Sequence, residues 1–146
     1  MKKTITNSFL SSLFVLMAIA LMNVDVVAQC TATTSWGSAT APVVENVPTT
    51  ITTCAFTGDY STITNAQSGS TYEFTGTSSS ADAYLTVRQG TPTGTALGHG
   101  FSPVTVTATA TGSLYLHYHS SAACGTTGIG CITGTVNYYM LNSIWH

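Results

Sequence analysis

His117 and His119, two positions apart, are the residues of this 146-residue chain best placed to do chemistry. On a β-strand, positions i and i+2 point the same way, so both imidazoles fall on one face, where His99 from a Gly-rich turn region would be the natural third ligand for a metal ion. The simpler reading is an exposed polar and aromatic ladder beside Tyr115, and we expect no metal and no cofactor. A third use of the same side chains is recognition: aromatic rings stack on sugar faces, and guanidinium or imidazole groups bond hydroxyls. Tyr84, Arg88, Tyr115, His117 and His119 are therefore the candidate ligand-binding residues, with a polysaccharide or cell-surface glycan as the expected partner.

Hydrolytic chemistry finds little support. A carboxylate pair has to come within about 5 to 10 Å in a cleft, and the chain has five acids in all. Asp59 and Asp82 are the best pair on offer, but Asp59 sits where an Asp bonds its own turn, and Asp82 stands at a strand entrance facing solvent. Serines are plentiful, yet no Gly-x-Ser-x-Gly elbow occurs, and Gly112-Ser113 runs straight into a strand pattern. Calcium asks for six to eight oxygens including several carboxylates, which this chain cannot supply. We expect no enzyme.

Cys30, Cys54, Cys124 and Cys131 are the four cysteines. Their spacings do not match the close pairs of a zinc site, and an even number in an exported chain reads as two disulfides. Three pairings exist. The short Gly-rich loop between Cys124 and Cys131 favours joining those two, which leaves Cys30 with Cys54.

Export is read from the start of the chain. Lys2 and Lys3 precede an apolar run over residues 13–22, about half of what a membrane-spanning helix needs. Val26 and Ala28 give the small residues of a cleavage site, so we expect a signal peptide over residues 1–28, no retained membrane anchor, and a mature domain over residues 29–146. Gln29 before Cys30 is not the small residue that lipidation requires. Removing the leader takes away Lys2, Lys3 and Asp25, leaving Glu45, Asp59, Glu73 and Asp82 against Arg88 alone. A nucleic-acid partner would want a Lys/Arg patch, so none is expected.

Something must hold these residues in place, and the pattern is β throughout. Thr, Val, Tyr and Ile are abundant, and turn residues recur every 8 to 12 positions or so, as in a β-sandwich or barrel. Strands are expected over residues 50–56, 59–65, 71–75, 83–88, 104–109, 113–119 and 132–141, with a short one at Ala96 and Leu97. Alternation assigns the faces: Tyr72 and Phe74 oppose Glu73; Leu85 and Val87 oppose Tyr84 and Arg88; Leu114, Leu116 and Tyr118 oppose Tyr115, His117 and His119. The fold expected is therefore all-β, an antiparallel β-sandwich of roughly eight strands in one domain.

The order of several short motifs carries a family resemblance. Gly58-Asp59-Tyr60 is followed by Gly69-Ser70-Thr71-Tyr72-Glu73-Phe74, then Tyr84-Leu85-Thr86-Val87-Arg88, Gly112-Ser113-Leu114-Tyr115-Leu116-His117, and the Cys124 to Cys131 loop. Together these resemble β-sandwich modules of secreted and surface proteins of Bacteroidetes, distantly similar to bacterial pre-peptidase C-terminal domains. Such modules often carry Trp and Asn where Tyr118 and His119 stand here, and a basic residue where Ile132 stands. The resemblance implies a jelly-roll-like sandwich acting as an accessory or adhesive extracellular module without chemistry of its own. A second reading is a structural subunit that self-associates through β-strand edges, suggested by the low charge and by the Tyr-rich last strand.

Overall fold

The computed structural model describes residues 29–140, which form nine strands and no helix. These are β1 (Thr34–Thr40), β2 (Thr49–Ala55), β3 (Asp59–Ala66), β4 (Thr71–Thr77), β5 (Tyr84–Gln89), β6 (Ala96–Phe101), β7 (Val104–Thr107), β8 (Gly112–His119) and β9 (Ile132–Tyr139). The expected leader over residues 1–28 with its expected cut after Ala28, and residues 141–146, lie outside the described residues.

All eight expected strands are present, as β2 to β9, in two sheets ordered β1-β3-β8-β5-β6 and β2-β9-β4-β7. The pairs β2·β9, β3·β8, β4·β7 and β5·β6 are each antiparallel neighbours. That nesting is what results when one long hairpin, with its bend between β5 and β6, is rolled up on itself, and it defines a jelly roll. The sandwich core lies between the sheets, and the expected inward faces fill it: Tyr72, Phe74, Leu85, Val87, Leu114, Leu116 and Tyr118 are all buried, joined by Ile63, Ile132 and Val136.

The ninth strand, β1, was not expected. Thr34–Thr40 has no apolar alternation, is exposed along nearly its whole length, and pairs with β3 in parallel. Its register jumps between Ser35 and Ser38, around Trp36 and Gly37. Gly37 has a φ of 81°, and a methyl group there would press on the Thr52 side chain of β2 at 2.9 Å. A bulge that only glycine permits thus lets β1 close one open side of the sandwich. At the other side the β6–β7 connection passes from the edge of one sheet to the edge of the other.

β6 is also longer than its two apolar residues suggest. Gly98 and Gly100 belong to it, pairing with Val87 and Leu85. Glycine at Gly98 is a packing requirement, because a Cβ there would run into Val106 of the opposite sheet. Two glycines that read as turn residues are strand residues at a place where the two sheets come close.

The expected disulfide pairing is overturned. Cys30 joins Cys124, with Cα atoms 5.2 Å apart, and Cys54 joins Cys131 at 4.7 Å. The reason is strand pairing. Ala55 of β2 sits opposite Ile132 of β9 beside an irregularity in the register, which brings Cys54 and Cys131, each adjacent to that pair, within bonding distance. Cys124, at the far end of the β8–β9 connection, is then left to the N-terminal segment. The last strand β9 likewise does not form an edge: it lies between β2 and β4, and Val136 is fully buried.

Candidate functional site

The outer face of the five-stranded sheet gathers the five candidate residues. β5 and β8 pair in the register Tyr84↔His119, Thr86↔His117 and Arg88↔Tyr115, so all five side chains rise from two neighbouring strands on the face opposite the core. β3 adds Tyr60, opposite His117, and β6 adds His99 and Phe101, opposite Thr86 and Tyr84. The rings touch. Tyr60 lies 5.4 Å from His117 and 6.0 Å, edge-on, from Tyr115; Tyr84 meets Phe101 edge to face at 5.4 Å. The Tyr84 hydroxyl and His99 Nδ1 share a hydrogen bond of 2.8 Å.

The expectation of an exposed ladder does not hold. His117, His119, Tyr84 and Arg88 are buried, while Tyr115, Tyr60 and His99 are half-buried and Phe101 is 56% exposed. Two segments provide the cover. One is the N-terminal strap, residues 29–33, pinned by the Cys30–Cys124 bond. Its Ala32 backbone N–H donates to His117 Nδ1 at 2.9 Å. The second is the turn between β5 and β6. Arg88 ties both down, donating from one terminal nitrogen to the Gln29 carbonyl and from the other to the Gly94 carbonyl, each at 2.8 Å.

Burial sets the protonation of this face. Desolvation, helped by the Arg88 charge and by His119, lowers the His117 pKa to about 4, with the Pro92 carbonyl pulling weakly the other way. Desolvation also lowers the His119 pKa and raises that of Tyr84. Both histidines are therefore neutral at pH 7. Because Nδ1 of His117 accepts from Ala32, its ring carries the proton on Nε2.

Several polar atoms under the cover have no hydrogen-bond partner among the described residues: Thr86 Oγ1, Arg88 Nε, His117 Nε2 and His119 Nδ1. Arg88 is also the only arginine of the chain, and neither of its terminal nitrogens meets a carboxylate. The acids are occupied or distant. Asp59 accepts from its own turn at Phe56 N, 2.8 Å, as expected; Glu73 accepts from the Tyr139 hydroxyl on the other sheet; Asp82 is exposed where β5 begins. Asp59 and Asp82 are separated by the whole of β8. No group of three or more His, Cys, Asp or Glu able to hold a metal occurs among the described residues. His99 spends its Nδ1 on Tyr84 instead.

Sequence reading missed the strap, Tyr60 and Thr86. Tyr60 alternates outward beside Ser61 and Ile63, a signal that would have found it. The strap carries no such signal.

A second polar relay lies inside the sandwich. The Tyr118 hydroxyl, kept protonated because burial pushes its pKa up, donates to Ser61 Oγ at 3.1 Å, which in turn donates to the Trp36 carbonyl at 2.5 Å. Gly134 leaves room for this, since a methyl group there would strike the Tyr118 hydroxyl. The relay ties the β1 bulge to the core, and Ser61 and Tyr118 are both fully buried, so we assign it to structure.

No family model matches the chain, and no curated protein matches it. Among solved structures, it is similar to PliG of Aeromonas hydrophila, a periplasmic lysozyme inhibitor of g-type lysozyme. The two share 19% identity at a TM-score of 0.40, over 70% of this chain and 98% of that one. A likeness that slight does not bear on function.

Proposed function

We propose that this chain is an exported, non-catalytic binding module, and that its ligand is a polysaccharide or surface glycan met by the outer face of the five-stranded sheet. One observation carries the reading: Tyr60, Tyr115, His99 and Phe101 rim that face with accessible rings around a buried polar centre. Rings of this kind offer stacking area at low entropic cost, and a sandwich face holds them rigidly. Export to an oxidising compartment, as secreted or periplasmic protein, is supported by the leader pattern and by two disulfides. The kinship with Bacteroidetes surface modules belongs to the same reading. The test is a polysaccharide panel against the purified chain and its Tyr115→Ala variant. At least one polysaccharide should be retained by the parent and bound about 10-fold more weakly by the variant, the size expected for one lost stacking contact of ~1.4 kcal/mol. Retention of none, or equal retention by both, overturns the reading.

Self-association is a second reading, and β1 is the element that favours it. It is an uncharged edge strand with Trp36 51% exposed. Light scattering on a sizing column should then show assemblies that Trp36→Lys converts to monomer. A parent chain that is monomeric at all concentrations removes this reading.

A further inference from the structure

We infer that Thr86, Arg88 and His117 form a recognition site for a carboxylate group, seated between the N-terminal strap and the outer face of β5 and β8. The inference rests on reading this face as a binding face, and names the chemistry of what it binds.

Charge is the first argument. The side chain of Arg88 is 9% exposed, and no carboxylate of the described residues neutralises it. A buried positive charge without a counter-charge is costly, and proteins normally pair it. Two backbone carbonyls satisfy its terminal nitrogens but bring no negative charge. The chain places its single arginine under cover while its four described acids, Glu45, Asp59, Glu73 and Asp82, stand elsewhere.

The donors supply the second argument. Arg88 Nε–H and the Thr86 hydroxyl have no hydrogen-bond partner among the described residues, His117 Nε2–H has only the weak pull of the Pro92 carbonyl beside it, and all three can donate. They are arranged together: Thr86 is directly opposite His117 in the register, and Arg88 is two residues further along the same strand and face. Directly opposed side chains are about 5 Å apart at Cβ, and diagonal ones about 7 to 8 Å, which is the reach of one carboxylate. A charged guanidinium N–H, an imidazole N–H and a hydroxyl free to donate favour an anion over a cation. The fixed tautomer of His117 matters here, since the Ala32 N–H holds the acceptor nitrogen and leaves the proton on Nε2.

The carboxylate comes either as a small free acid or on a sugar ring, as in a uronic acid. Arg88 itself reports on which. As the sole arginine, it gives one Nε–H resonance in a nitrogen–proton NMR spectrum. The experiment titrates the oxidised full chain with acetate and with glucuronate at constant ionic strength, following that resonance, and repeats both with Thr86→Val. Valine matches threonine in shape, so the variant keeps the strand while removing one donor. A saturable shift with either acid, weakened about 10-fold or more by Thr86→Val, is the expected result. A shift with acetate assigns the site to any free carboxylate, and a shift with glucuronate alone assigns it to acidic glycans. No saturable shift with either, or an equal shift in Thr86→Val, overturns the inference. Tyr115-dependent binding of neutral polysaccharides would survive that failure, so the two readings fall separately.

Discussion

His117 is held by the Ala32 N–H on one nitrogen and faces Arg88 of β5, His119 of its own strand and Tyr60 of β3. Its pKa is lowered from 6.5 to about 4 on folding. The sign follows: the unfolded chain takes up a proton as pH falls below 6.5, the folded chain does not until about 4, and stability is lost across that window. Above 6.5 the contribution is fully present. The loss amounts to about 3 kcal/mol, from about 1.36 kcal/mol for each pH unit. His119 shifts in the same direction and steepens the trend. Thermal melts between about pH 7 and pH 4 should therefore show a falling midpoint in the parent and a much flatter profile in His117→Phe. A parallel slope in both would place the pH sensitivity elsewhere.

Among the elements, the strap is the piece whose role is most exposed to test. It has no regular secondary structure of its own and is held by Cys30–Cys124, by Ala32 to His117 and by Arg88 to Gln29. In the chain-entropy view, a bond spanning 94 residues is worth about 4.5 kcal/mol when taken alone, and measured values run from about 2 to 5. Replacing Cys30 and Cys124 together by serine should lower stability within that range and let water reach the outer face. The specific readout is the His117 pKa, which should rise from about 4 towards its ordinary value as the strap lifts. A loss of stability with an unmoved pKa would mean that the strap stays down without its disulfide.

Across the whole molecule, what was legible in the sequence is what period and turn chemistry encode. Strands such as β4 and β8 alternate apolar and polar residues where one face meets the core, so alternation alone assigns Leu114, Leu116 and Tyr118 inward, where they are indeed buried. β1 could not be read this way, because an exposed edge strand has no buried face to impose alternation. The clustering of Tyr84, Arg88, Tyr115, His117 and His119 was legible strand by strand, but their burial was not. Covering a sheet face is the work of a segment about 85 residues away along the chain, fixed by a disulfide whose pairing depends on which strands are neighbours. Cysteine spacing alone favoured the nearest partners, and the roll brought distant ones together instead.

The most direct measurement of the binding-face account is chemical-shift mapping with a fragment of the first polysaccharide that the chain retains. Perturbations are predicted to cluster on Tyr60, His99, Phe101 and Tyr115, with Arg88 joining them when the fragment is acidic. Perturbations centred on the Thr-rich outer face of the four-stranded sheet, around Thr75, Thr107 and Thr135, or along the β1 edge at Trp36, would contradict it.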